Sequence, residues 1–340
     1  MNKKLQFEIP QSVTFQYNAY TLGMILANQS IKNVYYNEVL QLYFDRSSFI
    51  FYYSPLPLGY DVSMQLYNMN CLKRKDIFDY VEISRSCHKK DIISTIEDFI
   101  NEERYVHLSG IDPFYISNTP QYMRTHIGHD ILIFGYHQEK RKFLTASYTQ
   151  NQQFEIFEIP YDDISQTFYK GHPDYDVHIA GIKPKENLKV DFSFDSIQYW
   201  LKQYLTSVNT LMMNDTEMDP YLRFQNEYVF GINIHRYLWL YLDYIEGEKL
   251  SWLDPRVMRM FWEHKKIMLD KIKIMAQLNP VFELYIDDVN QIEITANILK
   301  NLSLKYRLNN DKKYIGRCKE IILEIYQREM DIWNRVLEKL

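Results

Sequence analysis

The chain has 340 residues, and at roughly 150 residues per domain this length predicts two domains. Hydrophobic residues make up 46% of the chain and charged residues 24%, which is typical of globular proteins and excludes extended disorder or a fibrous repeat. The formal net charge of −5 gives no general attraction to nucleic acid, so we expect no nucleic-acid partner.

The cysteines and the hydropathy pattern indicate the compartment. Cys71, Cys87 and Cys318 are too few and too scattered for a disulfide framework or a paired zinc site, which favours a reducing environment. The first residues lack the apolar core of a signal peptide, and no stretch approaches the length of about 18 apolar residues that a membrane span needs. We therefore expect a cytoplasmic protein without a membrane partner.

Short runs rich in β-branched and aromatic residues predict strands in the first half of the chain. These strands cover 48–54, 105–109, 131–136, 142–148, 154–159 and 177–179. Apolar residues at helical spacing predict helices among them, at 18–28, 89–100 and 161–169. Residues 1–185 are accordingly predicted to form an α+β domain.

From about residue 190 the apolar residues recur at helical spacing, which predicts an all-α domain over 190–340. The predicted helices cover 193–208, 220–246, 255–277, 285–306 and 312–339. Asp254 followed by Pro255 is typical of a helix start, and Asn279 followed by Pro280 is typical of a helix end. We expect the broad apolar faces of these helices to cover one side of a cleft in the first domain.

His129 is the most informative residue, because it stands immediately before a predicted strand, 131–136. A charged turn and a second strand, 142–148, follow it. A sheet can hold an imidazole rigidly as a general base, while a polar residue of the next strand orients its second ring nitrogen. His129 is therefore a candidate catalytic base, although a histidine at the start of a strand is more often a solvated or hydrogen-bonded edge residue.

The stretch HIGHDILIFGY at 126–136, followed by KFLTASY at 142–148, resembles the histidine strand of papain-like cysteine peptidases and acyltransferases. The resemblance is greatest to the family of the butirosin-biosynthesis acyltransferase. The segment 105–115 resembles the strand that leads to an Asp and a Tyr in that family, and 229–237 and 261–269 resemble helical parts of its bacterial relatives. This resemblance implies a papain-like α+β domain followed by an all-α C-terminal domain.

Relatives of this kind use a cysteine at the start of the first helix, where a histidine and the helix dipole favour the thiolate. No cysteine stands there in this chain. If Tyr17 occupies the cysteine's place, Gln11 lies six positions before it and Leu22 and Ile25 lie five and eight positions after it, as in related peptidases. If Ala19 occupies that place, a natural or engineered exchange of Cys for Ala explains the small residue. Both alternatives stay open.

The resemblance also implies the remaining site residues. Ser147 lies near the place where the family has the Asp that orients the histidine, and Asp112 and Asn151 are alternative candidates for that role. Gln11, Gln16 and Asn18 surround the helix start, and they are candidates for binding the substrate and stabilising an oxyanion there.

The implied activity is acyl transfer from a phosphopantetheine thioester on an acyl or peptidyl carrier protein to a small amine. The product would be an amide in the biosynthesis of a nonribosomal peptide-type natural product, such as an antibiotic. Apart from a phosphopantetheine-linked substrate, no cofactor is expected. The alternative is a degenerate, non-catalytic member of the fold that binds an acyl or peptide ligand. Cys87, beside His88, is a further candidate nucleophile, but a surface residue before the helix 89–100 explains it more simply.

Basic clusters on this slightly acidic chain offer a docking surface for an acidic carrier protein. They comprise Lys73, Arg74, Lys75, Lys89, Lys90, Lys265, Lys266, Lys271 and Lys273. Glu263 and His264 are neighbours on a predicted helix and point apart, so we expect a solvated face there and no shared site. His126 and His129 could bind a metal together only on a helix, and because this segment is predicted as loop and strand we expect no metal site.

Overall fold

The computed structural model describes residues 2–45, 64–66, 74, 76–85, 90–170, 177–208, 228–249 and 252–340. The chain divides into two compact units, the first comprising 1–33 and 70–191 and the second comprising 34–69 and 192–340. The first is a mixed α/β unit with an antiparallel sheet, and the second contains the C-terminal helical region. The coarse prediction of an α+β part followed by helices is confirmed.

The secondary-structure elements are numbered in chain order. The strands are β1 (Asn2–Lys4), β2 (Leu42–Asp45), β3 (Met64–Leu66), β4 (Phe78–Ser84), β5 (Tyr105–Ile111), β6 (His129–His137), β7 (Lys142–Tyr148), β8 (Phe154–Pro160), β9 (His178–Pro184) and β10 (Tyr228–Phe230). The α-helices are α1 (Gln16–Ala27), α2 (Asn33–Glu38), α3 (Ile92–Asn101), α4 (Tyr161–Lys170), α5 (Phe194–Thr206), α6 (Ile234–Glu246), α7 (Pro255–Leu278), α8 (Ile286–Asn309) and α9 (Lys313–Leu337).

The sheet of the first unit has the strand order β4-β9-β5-β6-β7-β8, and β1 pairs with the end of β6. All of these pairings are antiparallel. The central strand β6 is buried over most of its length, as its unbroken apolar run predicts. Its first residue, His129, therefore lies at one end of the middle of the sheet.

Helices cover both faces of this sheet, because the strand residues alternate between them. Val106 and Leu108 of β5 belong to the apolar core that also contains the buried residues of α3 and α4. His107, which lies between them, faces α1, where its ring meets the edge of the Tyr20 ring with centroids 6.1 Å apart. The Tyr20 ring also lies 6.1 Å from that of Phe154 in β8. These contacts place α1 on the face opposite to α3 and α4.

The predicted elements of the first unit agree with the structure within a few residues at their ends. The strands predicted at 105–109, 131–136, 142–148 and 154–159 are confirmed as β5 to β8, and 177–179 overlaps the start of β9. The helices predicted at 18–28, 89–100 and 161–169 correspond to α1, α3 and α4. The strand predicted at 48–54 lies outside the described residues, as do Cys71 and Cys87.

Two predictions differ from the structure around the small sheet of the second unit, β10-β2-β3. The helix predicted at 220–246 begins only at Ile234, because Val229 and its neighbours form β10 and pair with Phe44 of β2. Residues 220–227 lie outside the described part of the chain. The same pairing explains why segment 34–69 belongs to the second unit, whereas the sequence placed it in a first domain of residues 1–185.

A buried polar cluster links four helices of the second unit. The carboxylate of Glu329 in α9 accepts hydrogen bonds from Lys265 Nζ of α7 at 2.7 Å and from the Tyr204 hydroxyl of α5 at 3.1 Å. The Nε2 atom of His235 in α6 lies 2.9 Å from the same carboxylate oxygen. Lys265 Nζ also donates to Nδ1 of His264 at 3.4 Å. All five side chains are almost completely buried.

The charges of Glu329 and Lys265 offset the cost of burying each other. Burial opposes ionisation of Glu329, but the charge of Lys265 and the hydrogen bond from His235 hold the pKa of this carboxyl below its usual range. Burial lowers the pKa of His264 to about 3, so this imidazole is neutral at physiological pH. Its Nε2 atom donates to the Leu40 carbonyl at 2.7 Å, and Nδ1 is left to accept from Lys265. Removing one charge from such a cluster leaves the other uncompensated.

No helix of the described residues is both long enough and apolar enough to cross a membrane.

We predict that Glu329→Gln strongly destabilises the protein, because the buried ammonium of Lys265 then lacks its counter-charge. The free energy of unfolding should fall by about 3–5 kcal/mol, as measured by chemical denaturation. The matched control is Glu324→Gln on the same helix, where the partly exposed carboxylate pairs with Arg328 one turn away. This control should change stability by no more than about 1 kcal/mol. Equal stability losses in the two variants would contradict the assigned role of the cluster.

Candidate functional site

Helix α1 carries the residues that the sequence analysis placed at the site. Its sequence, QYNAYTLGMILA, contains no charged residue, and nine of its twelve residues are buried. A helix without a charged face is typical of a position inside the protein. Phe15, the residue before the helix, makes no side-chain capping bond, so the first turn begins with Gln16 and without a polar cap.

A bulge in β5 exposes backbone groups at the start of β6. The register shifts between Leu108, which pairs with Ile131, and Ile111, which pairs with His129. Asp130 therefore has no partner in β5. Gly110, within the bulge, has a positive φ of 72°, which glycine adopts without the steric cost that a side chain would bring. The N–H and C=O groups of Asp130 consequently need partners outside the sheet.

Gln16 supplies one of these partners and orients His129 as well. Its Nε2 atom donates to the Asp130 carbonyl at 2.7 Å and lies 2.6 Å from Nδ1 of His129. Its Oε1 atom accepts a hydrogen bond from the Ser147 hydroxyl of β7 at 3.3 Å. Both ends of the carboxamide are thus occupied, and the side chain joins α1 to the start of β6 and the end of β7.

These contacts fix the proton position on the His129 ring. The N–H of Asp130 donates to Nδ1 at 2.8 Å, so Nδ1 carries a lone pair and the proton of the neutral ring lies on Nε2. Burial lowers the pKa of His129, although the nearby Asp130 carboxylate opposes this shift. The half-buried ring is therefore neutral at physiological pH. Within the described residues Nε2 has no hydrogen-bond partner, which leaves one N–H donor for a ligand.

A second layer of polar side chains surrounds Asp130. Nε2 of His107 lies 3.6 Å from a carboxylate oxygen of Asp130, and the Tyr20 hydroxyl donates to its backbone carbonyl at 3.4 Å. Burial opposes ionisation of Asp130, but His107 and His129 lower the pKa of this carboxyl below its usual value. Burial, reinforced by the Asp130 charge, raises the pKa of Tyr20 well above its usual value, so this hydroxyl stays protonated.

The residue of α1 that contacts His129 differs from both candidates that the sequence suggested for the nucleophile. The α1 side chain that bonds to His129 is that of Gln16, and not that of Tyr17 or Ala19. The ring of Tyr17 stacks on that of Phe15 with centroids 5.7 Å apart, and Ala19 is completely buried. The two alternatives were chosen from spacing relative to apolar residues, and that pattern could not identify the residue at the first turn of the helix.

The other predicted α1 residues and Ser147 have different surroundings. Gln11 is exposed. Asn18 is completely buried, and neither its amide nitrogen nor its amide oxygen has a hydrogen-bond partner among the described residues. Ser147 lies on the strand where the third catalytic residue was expected, but it bonds to Gln16 and not to His129. It therefore holds the carboxamide and does not orient the imidazole.

Asp112 forms a pair with a different histidine. Its buried carboxylate lies 2.6 Å from Nδ1 of His126, whose ring is half exposed and stacks on that of Phe114 with centroids 4.0 Å apart. Asp112 therefore does not substitute for the residue that orients His129. His126 and His129 are close together in the sequence, but nothing in the sequence indicates which of the two pairs with the carboxylate of Asp112.

Two expectations about the surface are wrong. Glu263 and His264, predicted on a solvated face, are almost completely buried, and His264 belongs to the polar cluster of the second unit. Lys265 and Lys271 are buried too, so they add nothing to a basic docking surface. Lys271 Nζ donates to the backbone carbonyls of Tyr35 and Tyr36. Of the other two clusters, the structure describes only Arg74 and Lys90.

Among the described residues, no group of three or more His, Cys, Asp or Glu side chains is placed to hold a metal ion. The sequence matches no protein-family model, and no curated protein is significantly similar to it.

We predict that Gln16→Cys creates a reactive thiol, because the new side chain starts from the position in the first helical turn from which Gln16 reaches Nδ1 of His129. The imidazole and the helix dipole should lower the pKa of this thiol below the usual value of about 8.5. The background protein carries Ser in place of Cys71 and Cys87, while Cys318 is buried and the pKa of its thiol is raised to about 12. The measurement is the rate of alkylation by iodoacetamide as a function of pH.

The matched control is Gln11→Cys, because residue 11 is exposed. Near pH 6 the Gln16→Cys protein should react at least ~10-fold faster than this control. Adding His129→Ala should reduce the difference, because only the contribution of the helix dipole then remains. A rate equal to that of the control, or one that does not depend on His129, would show that residue 16 does not occupy a nucleophile's place.

Proposed function

We propose that the chain is a non-catalytic member of the papain-like fold that binds an acyl or peptide ligand at His129. The observation that carries this proposal is the carboxamide of Gln16, 2.6 Å from Nδ1 of His129. In a papain-like enzyme the thiol of the nucleophile faces the histidine from the first turn of the helix. A carboxamide is not a nucleophile at physiological pH, and its N–H protons are too weakly acidic for an imidazole to remove in an acyl transfer.

The topology of the first unit supports the papain-like part of the proposal. Helix α1 begins beside the start of β6, an antiparallel strand in the middle of the sheet, and the next strand β7 contributes Ser147 to the same place. This is the arrangement that the resemblance implies for the nucleophile, the histidine and the residue that orients it. The chemistry at two of these places differs. Gln16 has a carboxamide where the family has a thiol, and Ser147 has a hydroxyl where the family has a carboxylate.

The class of ligand follows from the single free donor. The neutral His129 ring presents Nε2–H, and Nδ1 is occupied by Gln16 and the Asp130 N–H. A neutral N–H donor fits a carbonyl oxygen, which accepts a hydrogen bond without needing a counter-charge. Thioesters and peptides both supply such an oxygen. The ligand we favour is an acyl group carried on phosphopantetheine, and a short peptide is the second member of the same class.

The test is calorimetric titration with two probes, S-hexanoyl-pantetheine and an N-acetylated dipeptide amide. At least one should bind to the wild-type protein. His129→Ala should weaken this binding by about 3- to 10-fold, which corresponds to the loss of one hydrogen bond. The matched control is His137→Ala, because His137 ends the strand that His129 begins and pairs with Glu158. This control should bind like the wild type.

Three results would overturn the binding proposal. They are the absence of binding by both probes, full binding by His129→Ala, and an equal loss in the His137→Ala control. Circular dichroism of each variant identifies a loss that comes from unfolding.

An amide-forming acyltransferase is the second candidate, and the Asp112–His126 pair favours it. The half-exposed imidazole of His126 is held at Nδ1 by a buried carboxylate, which is the usual arrangement of a general base. Such a base could take the proton from an amine that attacks a carrier-bound thioester directly, so that the protein needs no nucleophile of its own. In that case transfer of the hexanoyl group to a small amine would depend on His126 and would persist in Gln16→Ala.

A further inference from the structure

Helix α8 is apolar on two faces, and only one of them is packed. Val289, Ile292, Ala296 and Leu299 are buried, and α7 and α9 are the helices that pack against α8. On another side of the helix Ile294 and Ile298 remain 40% and 48% exposed. Leu308, in the last turn of α8, is 83% exposed, and Leu284, in the 3-10 turn before it, is 77% exposed. Contiguous exposed apolar side chains often mark an interaction site, and Ile294 and Ile298 are contiguous because they lie one helical turn apart.

Eight of the exposed residues follow a heptad pattern, while exposed Leu304 lies beside it. We define the seam as the positions that alternate in steps of three and four along this face. The seam consists of Leu284, Asp287, Gln291, Ile294, Ile298, Asn301, Lys305 and Leu308, all of them exposed. This spacing is that of the a and d positions of a two-stranded coiled coil. Four of its eight residues are apolar, which is few for an ordinary coiled coil. A partner helix must therefore offer hydrogen-bonding or oppositely charged side chains to the four polar residues.

The seam is self-complementary when it is paired with its own reverse. In an antiparallel pair centred between Ile294 and Ile298, these two residues face each other. Gln291 then faces Asn301, so amide meets amide. Asp287 faces Lys305, so acid meets base, and Leu284 faces Leu308 at each end. Every layer of the pair joins an a position to a d position, as antiparallel coiled coils require.

The monomer leaves these polar seam residues without partners. Within the described chain neither Asp287 nor Lys305 forms an ion pair, and the side-chain amides of Gln291 and Asn301 form no hydrogen bond; the Thr295 hydroxyl donates only to the backbone carbonyl of Gln291. Neighbouring charges outside the seam are occupied: Asp288 pairs with Arg335 at 3.3 Å, and Arg307 lies over the ring of Trp252. The unpaired charges are therefore the ones that an antiparallel second copy would pair.

We propose that α8 is a self-association surface, on which a second copy of the chain docks antiparallel about a two-fold axis near the middle of the seam. A two-fold interface uses the same patch on both copies, so a patch that matches its own reverse is what such an interface needs. A parallel pair would place Asp287 against Asp287 and Lys305 against Lys305, and these like charges disfavour it. The proposal is independent of the ligand that the first unit binds.

The test is sedimentation velocity of the full chain over a range of concentrations. The wild type should show a reversible monomer–dimer equilibrium. Ile298→Glu should raise the dimer dissociation constant at least ~100-fold, because two carboxylates enter the centre of the interface. The matched control is Leu323→Glu, since Leu323 is a half-exposed leucine on α9, outside the seam. This control should dimerise like the wild type.

Charge exchange tests the orientation. Asp287→Lys places lysine against Lys305 in two layers, and Lys305→Asp places aspartate against Asp287 in two layers, so each change should weaken the dimer. The double exchange Asp287→Lys with Lys305→Asp should restore the dimer, because opposite charges again face each other. In a parallel pair like charges would face each other in every one of these variants, so there would be no loss to restore. All of these positions are exposed, and circular dichroism checks that each variant is folded.

Several results would overturn the proposal. A wild type that is monomeric at every concentration would do so. So would a double exchange that associates no better than the single changes, or a Leu323→Glu control that dissociates as readily as Ile298→Glu.

Discussion

The carboxamide of Gln16 satisfies polar groups from two strands at once, and the polar arrangement of the first unit depends on it. Because of the bulge at Gly110, Asp130 has no residue opposite it in β5. Gln16 bonds to its backbone carbonyl, and the His129 ring accepts from its N–H. Buried backbone groups without partners cost about 1–3 kcal/mol each, so the bulge is tolerable only with such side chains beside it. The same bonds occupy Nδ1 of His129 and leave Nε2–H as its only free donor. One structural requirement of the sheet thus sets the chemistry of the candidate site.

The second unit solves the burial of polar groups in a different way. At the bulge the first unit satisfies backbone groups with a neutral amide and a neutral imidazole, whereas the second unit buries a lysine and a glutamate as a charged pair together with two histidines and a tyrosine. Four helices contribute to this cluster, so its geometry restricts how they can pack. An apolar core of similar volume would hold the helices together with less restriction on their register. The cluster therefore serves specificity of packing as well as stability.

The sequence predicted about half of the strands and most of the helices, because these rest on local periodicity, but it missed strands β1 to β4, strand β10 and helix α2. Strands β5 to β8 and helices α7 to α9 follow from alternating or helical apolar spacing within one window. The site could not be predicted to the same degree, since Gln16 and His129 are 113 residues apart and nothing local marks their contact. Lys265, His264 and Glu329 were missed because charged residues on a long helix are normally exposed. Gly110 is a local signal of the bulge, because a glycine within a strand often marks one, but the predicted strand 105–109 ended one residue before it.

The order of synthesis has a consequence for the buried cluster. Glu329 lies 64 residues after Lys265, near the end of the chain, so the ammonium is made well before its counter-charge. At a typical elongation rate of 5–20 residues per second this interval is roughly 3 to 13 s. During that time helices α5 to α7 cannot bury Lys265 in its final surroundings without an uncompensated charge. Burial of Lys265 by α5 to α7 is therefore unfavourable until α9 has emerged, whereas all residues of the first unit are available once residue 191 has emerged.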